Sequence, residues 1–127
     1  MTGTEMLCSC RGGNLDKFLQ PHILLILSKK EMYGLEIINE LEKMPMFMDR
    51  SPDPTGVYRY LKKMEDDGQL SSEMKTPDNK AKARKVYSIT DYGRHCLANW
   101  AVALGQYSVD IIGLVSEIEY AFDNKDK

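Results

Sequence analysis

The feature that most constrains this chain is a stripe of apolar side chains towards its C-terminus. From Leu97, the series Leu97, Ala101, Leu104, Ser108, Ile111, Val115, Ile118 and Phe122 steps alternately by four and three residues. Trp100, Tyr107, Leu114 and Ala121 widen the same face. This is a heptad pattern sustained for more than three repeats. It predicts one long helix within 91–127, with Thr90 able to cap its start and Asp91 placed where the helix dipole favours an anion. About 32 helical residues at 1.5 Å each span roughly 48 Å. A compact domain of this length has a radius of gyration of only about 14 Å. The helix must therefore project beyond its own core, and a projecting apolar stripe needs a partner. The simplest partner is the same helix of a second copy, so a homodimer is expected through Leu97, Ala101, Leu104, Ile111, Val115, Ile118 and Phe122. The competing reading is that the stripe packs within one chain.

Upstream, 127 residues at 43% hydrophobic suffice for one core. Residues 1–13 have no period and read as an N-terminal arm. Leu15, Phe18 and Leu19 suggest a short amphipathic turn, and Pro21 suits the first turn of a buried helix over 21–29. A second helix opens at Tyr33 and Gly34, with Leu35, Ile38 and Leu41 on its inward stripe, and Pro45 stops it. Residues 46–54 carry two prolines and no period, the pattern of a turn. Asp53 followed by Pro54 is a strong start signal for a third helix over about 54–67, which Gly68 ends. Val57, Leu61 and Met64 face inward, while Thr55, Arg59, Lys62 and Lys63 face out. Leu70 to Met74 alternate as a strand, and Arg84 to Ile89 form another.

Net charge is −2, but it is unevenly spread. Residues 50–85 hold 9 basic and 6 acidic side chains, a balance of +3, while both flanks are negative. Lys75, Lys80, Lys82, Arg84 and Lys85 face only Asp78. A solvated loop would explain such a run, but its place between two strands favours the tip of a hairpin. Three helices followed by a hairpin with a basic tip is the order of a winged helix-turn-helix. The expected fold class is thus mainly α with a small β-hairpin wing: a DNA-binding domain over 14–90 and a C-terminal dimerisation helix over 91–127. Outward short polar and long basic groups on the third helix are what a helix in the major groove needs.

Other chemistries find little support. No run reaches the roughly 18 apolar residues of a membrane span, and the start lacks a basic region followed by an apolar one, so a cytoplasmic protein without a membrane partner is expected. The histidines, His22 and His95, belong to no catalytic or metal-spaced pattern. No enzyme activity, metal or cofactor is expected. Cys8, Cys10 and Cys96 cannot all pair within one chain and are expected as thiols. The Cys8-x-Cys10 pair supplies too few ligands for a closed tetrahedral site, so an inert arm is preferred to a sensor.

Three stretches together resemble the PadR family of transcriptional regulators. Residues 23–42 are similar to its first two helices, with the Tyr-Gly-x-x-Ile step at Tyr33, Gly34 and Ile37. Residues 52–70 are similar to its recognition helix, with Tyr58, Leu61, Glu65 and Gly68 in register. Residues 83–97 are similar to its wing and helix junction through Arg84, Lys85, Tyr87, Thr90 and Gly93. The family's Gly-Thr-Leu-Tyr becomes Thr55, Gly56, Val57, Tyr58, which shifts the threonine by one place, and its Gly-Arg-Pro-Arg wing becomes Ala81, Lys82, Ala83, Arg84. The resemblance implies a sequence-specific regulator, most simply a repressor, acting as a homodimer on near-palindromic double-stranded DNA. Contacts are expected from Thr55, Gly56, Tyr58, Arg59, Lys62 and Lys63 on the helix and from Lys80, Lys82, Arg84 and Lys85 on the wing. It also implies a small planar effector held by Trp100, Tyr107 and Phe18, against which stands the reading that these rings simply fill core. The alternative function is a winged-helix protein-interaction module without specific DNA binding.

Overall fold

The computed structural model describes residues 15–76 and 82–125. The arm with Cys8 and Cys10, and the wing tip with Lys80 and Ala81, lie outside the described residues. A 3-10 turn, Leu15–Phe18, runs directly into helix α1, Leu19–Lys29. Pro21 therefore sits in the first turn instead of opening the helix, at a position whose N–H would have had no helical partner. The ring of His22 reaches back to the Phe18 carbonyl at 2.7 Å and meets the Phe47 ring edge-on, with centroids 4.9 Å apart. His22 thus packs two elements together.

Strand β1, Met32–Tyr33, leads into α2, Gly34–Glu42. The Tyr33 N–H donates to the Glu36 carboxylate at 3.1 Å, satisfying a donor at the helix start. The buried face of α2 is Ile37, Ile38 and Leu41, whereas Leu35 is half exposed. The inward stripe expected to include Leu35 is thus rotated towards Ile37. The proline-rich stretch after α2 contains a 3-10 turn, Pro45–Phe47, that buries Phe47 in the core.

Helix α3, Pro54–Asp66, begins as its Asp-Pro pair predicts, but not through the expected carboxylate cap. Asp53 makes no side-chain cap bond; its carbonyl oxygen instead accepts the Val57 N–H at 3.0 Å. Gly68 closes the helix in the left-handed region at φ 84°, where glycine alone avoids a Cβ penalty. Strands β2, Leu70–Lys75, and β3, Arg84–Ile89, pair antiparallel from Leu70↔Ile89 to Lys75↔Arg84. The two-residue β1 adds to the other edge of β3, so the sheet order is β1-β3-β2.

The core is a single cluster centred on Ile23, Leu24, Ile37, Leu41, Val57, Leu61 and Met64, all essentially inaccessible. Helix α4, Asp91–Lys125, leaves this core as an arm. Its first turns pack on α1 through half-buried Cys96, Leu97 and Trp100. Every residue from Gly105 to Asp123 is exposed. Among the described residues nothing covers the stripe beyond Leu104: Ile111, Leu114, Val115, Ile118 and Phe122 are 47–67% accessible. By length and composition Asp91–Asn124 would also suffice to cross a membrane, contrary to the expectation that no segment would. No unbroken apolar run reaches that length, but a window of 18 residues in this helix that holds at most two charged side chains is apolar enough on average.

Candidate nucleic-acid interface

Two surfaces carry the residues singled out in the sequence. The first is formed by α3 and the base of the hairpin. Thr55, Arg59, Lys62 and Lys63 lie exposed on α3, Gly56 is partly exposed, and Lys82, Arg84 and Lys85 stand at the described end of the wing. Their charges are not equally available. Lys62 pairs with Asp66 at 3.7 Å and Lys63 with Asp67 at 3.6 Å, both one helical turn apart and exposed. Such surface pairs are worth only about 0.3–0.5 kcal/mol and yield readily to a competing anion. Among the described residues Arg59, Lys82 and Arg84 have no carboxylate partner.

Lys85 is committed more firmly, because its ammonium lies 3.3 Å from Glu65 and also stands over the Tyr87 ring. Ser72 donates its hydroxyl to the other Glu65 oxygen. That hydrogen bond, followed by the nearby lysines, holds the Glu65 carboxyl below its ordinary value despite some desolvation. The Glu65 hydrogen bond in turn raises the Lys85 ammonium. Burial pushes the Tyr87 phenol up. The result is a cross-brace from α3 to both strands of the wing, made by residues that are 13 and 20 positions apart along the chain from Ser72 and from Glu65 to Lys85 and hence unreadable from local spacing.

A further residue joins this surface. The guanidinium of Arg84 stacks over the Tyr33 ring, 4.7 Å from its centroid, linking the wing to the start of α2. Tyr58 lies against the same helix start, close enough that a Cβ on Gly34 would fall 2.4 Å from its ring. Sequence reasoning placed Tyr33 only at a helix start, since β1 pairs with β3 across more than fifty residues.

The second surface is a cavity of about 790 Å³ between α1 and α4. Phe18, Trp100 and Tyr107 all line it, together with Leu97, Ala101, Leu104 and Ile111 from the stripe. The three aromatic candidates are thus brought together, and they share their walls with the expected dimer face. Val115, Ile118 and Phe122 lie farther along α4, away from it.

A three-helix core with α3 turned outward beside a β2–β3 hairpin defines a winged helix-turn-helix protein, here extended by one long helix. The transcriptional regulator PadR-like family matches residues 23–99, and the chain belongs to that family. The structure is similar to a PadR-like transcriptional regulator from Bacillus cereus at 27% identity and TM-score 0.68, covering 80% of this chain and 94% of that one. It is likewise similar to a Thermoplasma acidophilum protein at 29% identity and TM-score 0.65, over 80% and 94% of the two chains. Bacillus subtilis PadR, solved in complex with operator DNA, is 27% identical with TM-score 0.57, over 66% of this chain and 46% of that one. No curated protein matches the chain.

Proposed function

We propose that this protein is a DNA-binding transcriptional regulator that acts as a homodimer and represses by occupying a near-palindromic operator. The observation that carries the reading is the outward face of α3, where Thr55, Gly56 and Arg59 are accessible beside Lys82 and Arg84 of the wing base, which have no carboxylate partner among the described residues. The Bacillus subtilis relative bound to operator DNA supports it. In the complex, α3 enters the major groove and Arg59 and Thr55 read base edges, while Lys80, Lys82 and Arg84 hold phosphates. Lys62 and Lys63 exchange their aspartates for phosphate, and Tyr58 and Lys85 frame the approach.

Two copies join along the α4 stripe from Leu97 to Phe122, placing two recognition helices about 34–36 Å apart on one face of the duplex. The same burial accounts for the apolar character of Asp91–Asn124 without a membrane, and fits a cytoplasmic protein. A planar apolar effector enters the α1–α4 cavity beside Trp100, Tyr107 and Phe18. Binding one spacing of the two heads better than the other, it shifts DNA affinity by that difference and no more. The domain division is an arm over 1–13, a DNA-binding unit over 14–90 and the dimer helix beyond; catalysis, metals and cofactors have no part in this reading.

The local pairing of Lys62 and Lys63 with aspartates favours one rival, a winged helix that docks a protein. Selection of bound sequences from random duplexes separates the two. A regulator enriches a two-fold-related motif, and its affinity falls steeply with salt because phosphate neutralisation releases counterions. Absence of an enriched motif and of salt dependence would establish the protein-docking reading instead.

A further inference from the structure

A second cavity, of about 370 Å³, opens between the start of α2, the middle of α3 and the base of the wing. The rings of Tyr33, Tyr58 and Tyr87, the cations Arg84 and Lys85, Leu35 and the backbone of Gly34 form its walls, and no carboxylate of the described residues lines it. Its parts are held in place from several sides. Gly34 lets the Tyr58 ring lie against the first turn of α2, where any side chain would displace it. The Arg84 guanidinium sits over the Tyr33 ring, a cation–π contact that uses none of its N–H donors. Lys85 is held by Glu65, and Glu36 is turned to the Tyr33 N–H, so neither nearby acid occupies the cavity. Among the described residues, the Arg84 guanidinium and the Tyr33 and Tyr58 hydroxyls have no hydrogen-bond partner. A fork of N–H donors, two phenol donors and a second cation, with no carboxylate of the described residues among them, is a receptor for a tetrahedral oxyanion.

We propose that this cavity is a phosphate subsite that takes one phosphodiester of the DNA backbone per subunit, at the strand that passes between the recognition helix and the wing. The assignment rests on the DNA-binding reading above and adds a particular contact to it. Arg84 grips two phosphate oxygens in bidentate fashion, Tyr33 and Tyr58 donate to the remaining ones, and Lys85 contributes charge while staying on Glu65. A contact of this kind sets the depth and angle at which α3 enters the groove, because it fixes the backbone relative to both α2 and α3.

The experiment uses the full-length protein and the duplex enriched by selection, prepared as a series with one neutral methylphosphonate linkage at each position in turn. Wild type should lose about tenfold in affinity at one linkage in each half-site, in keeping with loss of a charge-assisted hydrogen bond. Arg84→Gln should lose a similar factor on the unmodified duplex, lower the salt slope by about 1 per subunit, and lose nothing further at that linkage. Tyr58→Phe keeps the ring against Gly34 and should show the same linkage-specific loss of sensitivity in smaller degree, with an unchanged melting temperature. Losses that simply add at every linkage would overturn the proposal, as would variants that bind the unmodified duplex like wild type. Calorimetry with inorganic phosphate on the free protein tests the other source of the same chemistry. Saturable binding lost in Arg84→Gln, without linkage coupling, would reassign the cavity to a free phosphate and overturn the backbone assignment. Failure of wild type to bind any unmodified duplex would refute the DNA reading itself, and the proposal with it.

Discussion

Gly93 approaches Gln69 so closely that a Cβ on the glycine would fall 2.2 Å from the Gln69 carbonyl oxygen. The contact locks the first turn of α4 onto the residues that follow α3. Thr90 completes it: its N–H donates to the Gln69 carbonyl at 3.1 Å, its hydroxyl donates to the Gly68 carbonyl at 2.6 Å, and the same hydroxyl oxygen accepts the Gly93 N–H at 2.9 Å. Gly93→Ala must push this joint apart and should destabilise the fold by about 1–3 kcal/mol. Thr90→Ala removes the cap and should cost about 1 kcal/mol. Denaturant unfolding measures both, and an unchanged midpoint for Gly93→Ala would show that the joint yields freely.

Gly56 has no comparable reason to be glycine within the chain. A Cβ there would meet nothing nearer than Asp53 at 3.8 Å, and the backbone is ordinary helix. Glycine in a helix costs up to about 1 kcal/mol relative to alanine. Gly56→Ala should therefore stabilise the protein while weakening operator binding, because the extra methyl meets DNA at close approach. Equal affinity in a binding titration would remove Gly56 from the interface.

Ile111 is exposed in the single chain and sits mid-stripe on α4. Ile111→Asp should give a folded monomer that loses specific DNA binding, since burying carboxylates at a two-fold interface costs several kcal/mol. Sedimentation that still reports a dimer would place the interface elsewhere.

The Glu65 brace gives a defined pH dependence. Its carboxyl is lowered in the folded state, so its contribution to stability is fully present above the ordinary carboxylate value and is lost as pH falls through the lowered one. Unfolding free energy measured from pH 5 downward should fall less steeply in Glu65→Gln than in wild type. Identical slopes would mean the brace carries no net energy.

Trp100, the single tryptophan, lines the α1–α4 cavity. Planar apolar compounds that quench its fluorescence should weaken operator binding in parallel. Trp100→Ala should abolish that response and leave the dimer intact. A fully responsive variant would make the ring a core residue only.

The legible parts of this fold are those written in local chemistry. Gly68 ends α3, Thr90 caps α4, and β3 occupies the span its β-branched and aromatic residues predict. The illegible parts depend on distant partners. Strand β1 exists only because Met32 and Tyr33 meet Tyr87 and Val86, and Phe47 is buried within a turn that has no period to betray it. Leu35 was misplaced because two helical faces of α2 are apolar, and packing on α1 and α3 selects Ile37 over it. At the interface, the exposed basic face of α3 was readable from spacing, whereas the Glu65 brace and the Tyr33–Arg84 stack require the folded hairpin. Even so, Lys62–Asp66 and Lys63–Asp67 are helical neighbours that the sequence displays openly.

Because α4 is anchored at one end and, among the described residues, bare from Gly105 to Asp123, it can act as a lever with its fulcrum at Thr90 and Gly93. Its 35 residues reach about 52 Å, so a rotation of about 5° at the fulcrum swings the far end by roughly 4.5 Å. In the proposed dimer, with the far ends clasped to a second copy, the converse would hold: a small wedge beside Trp100 would re-aim a whole head. A substitution that merely loosens the fulcrum would therefore blur operator recognition without touching any residue that faces DNA.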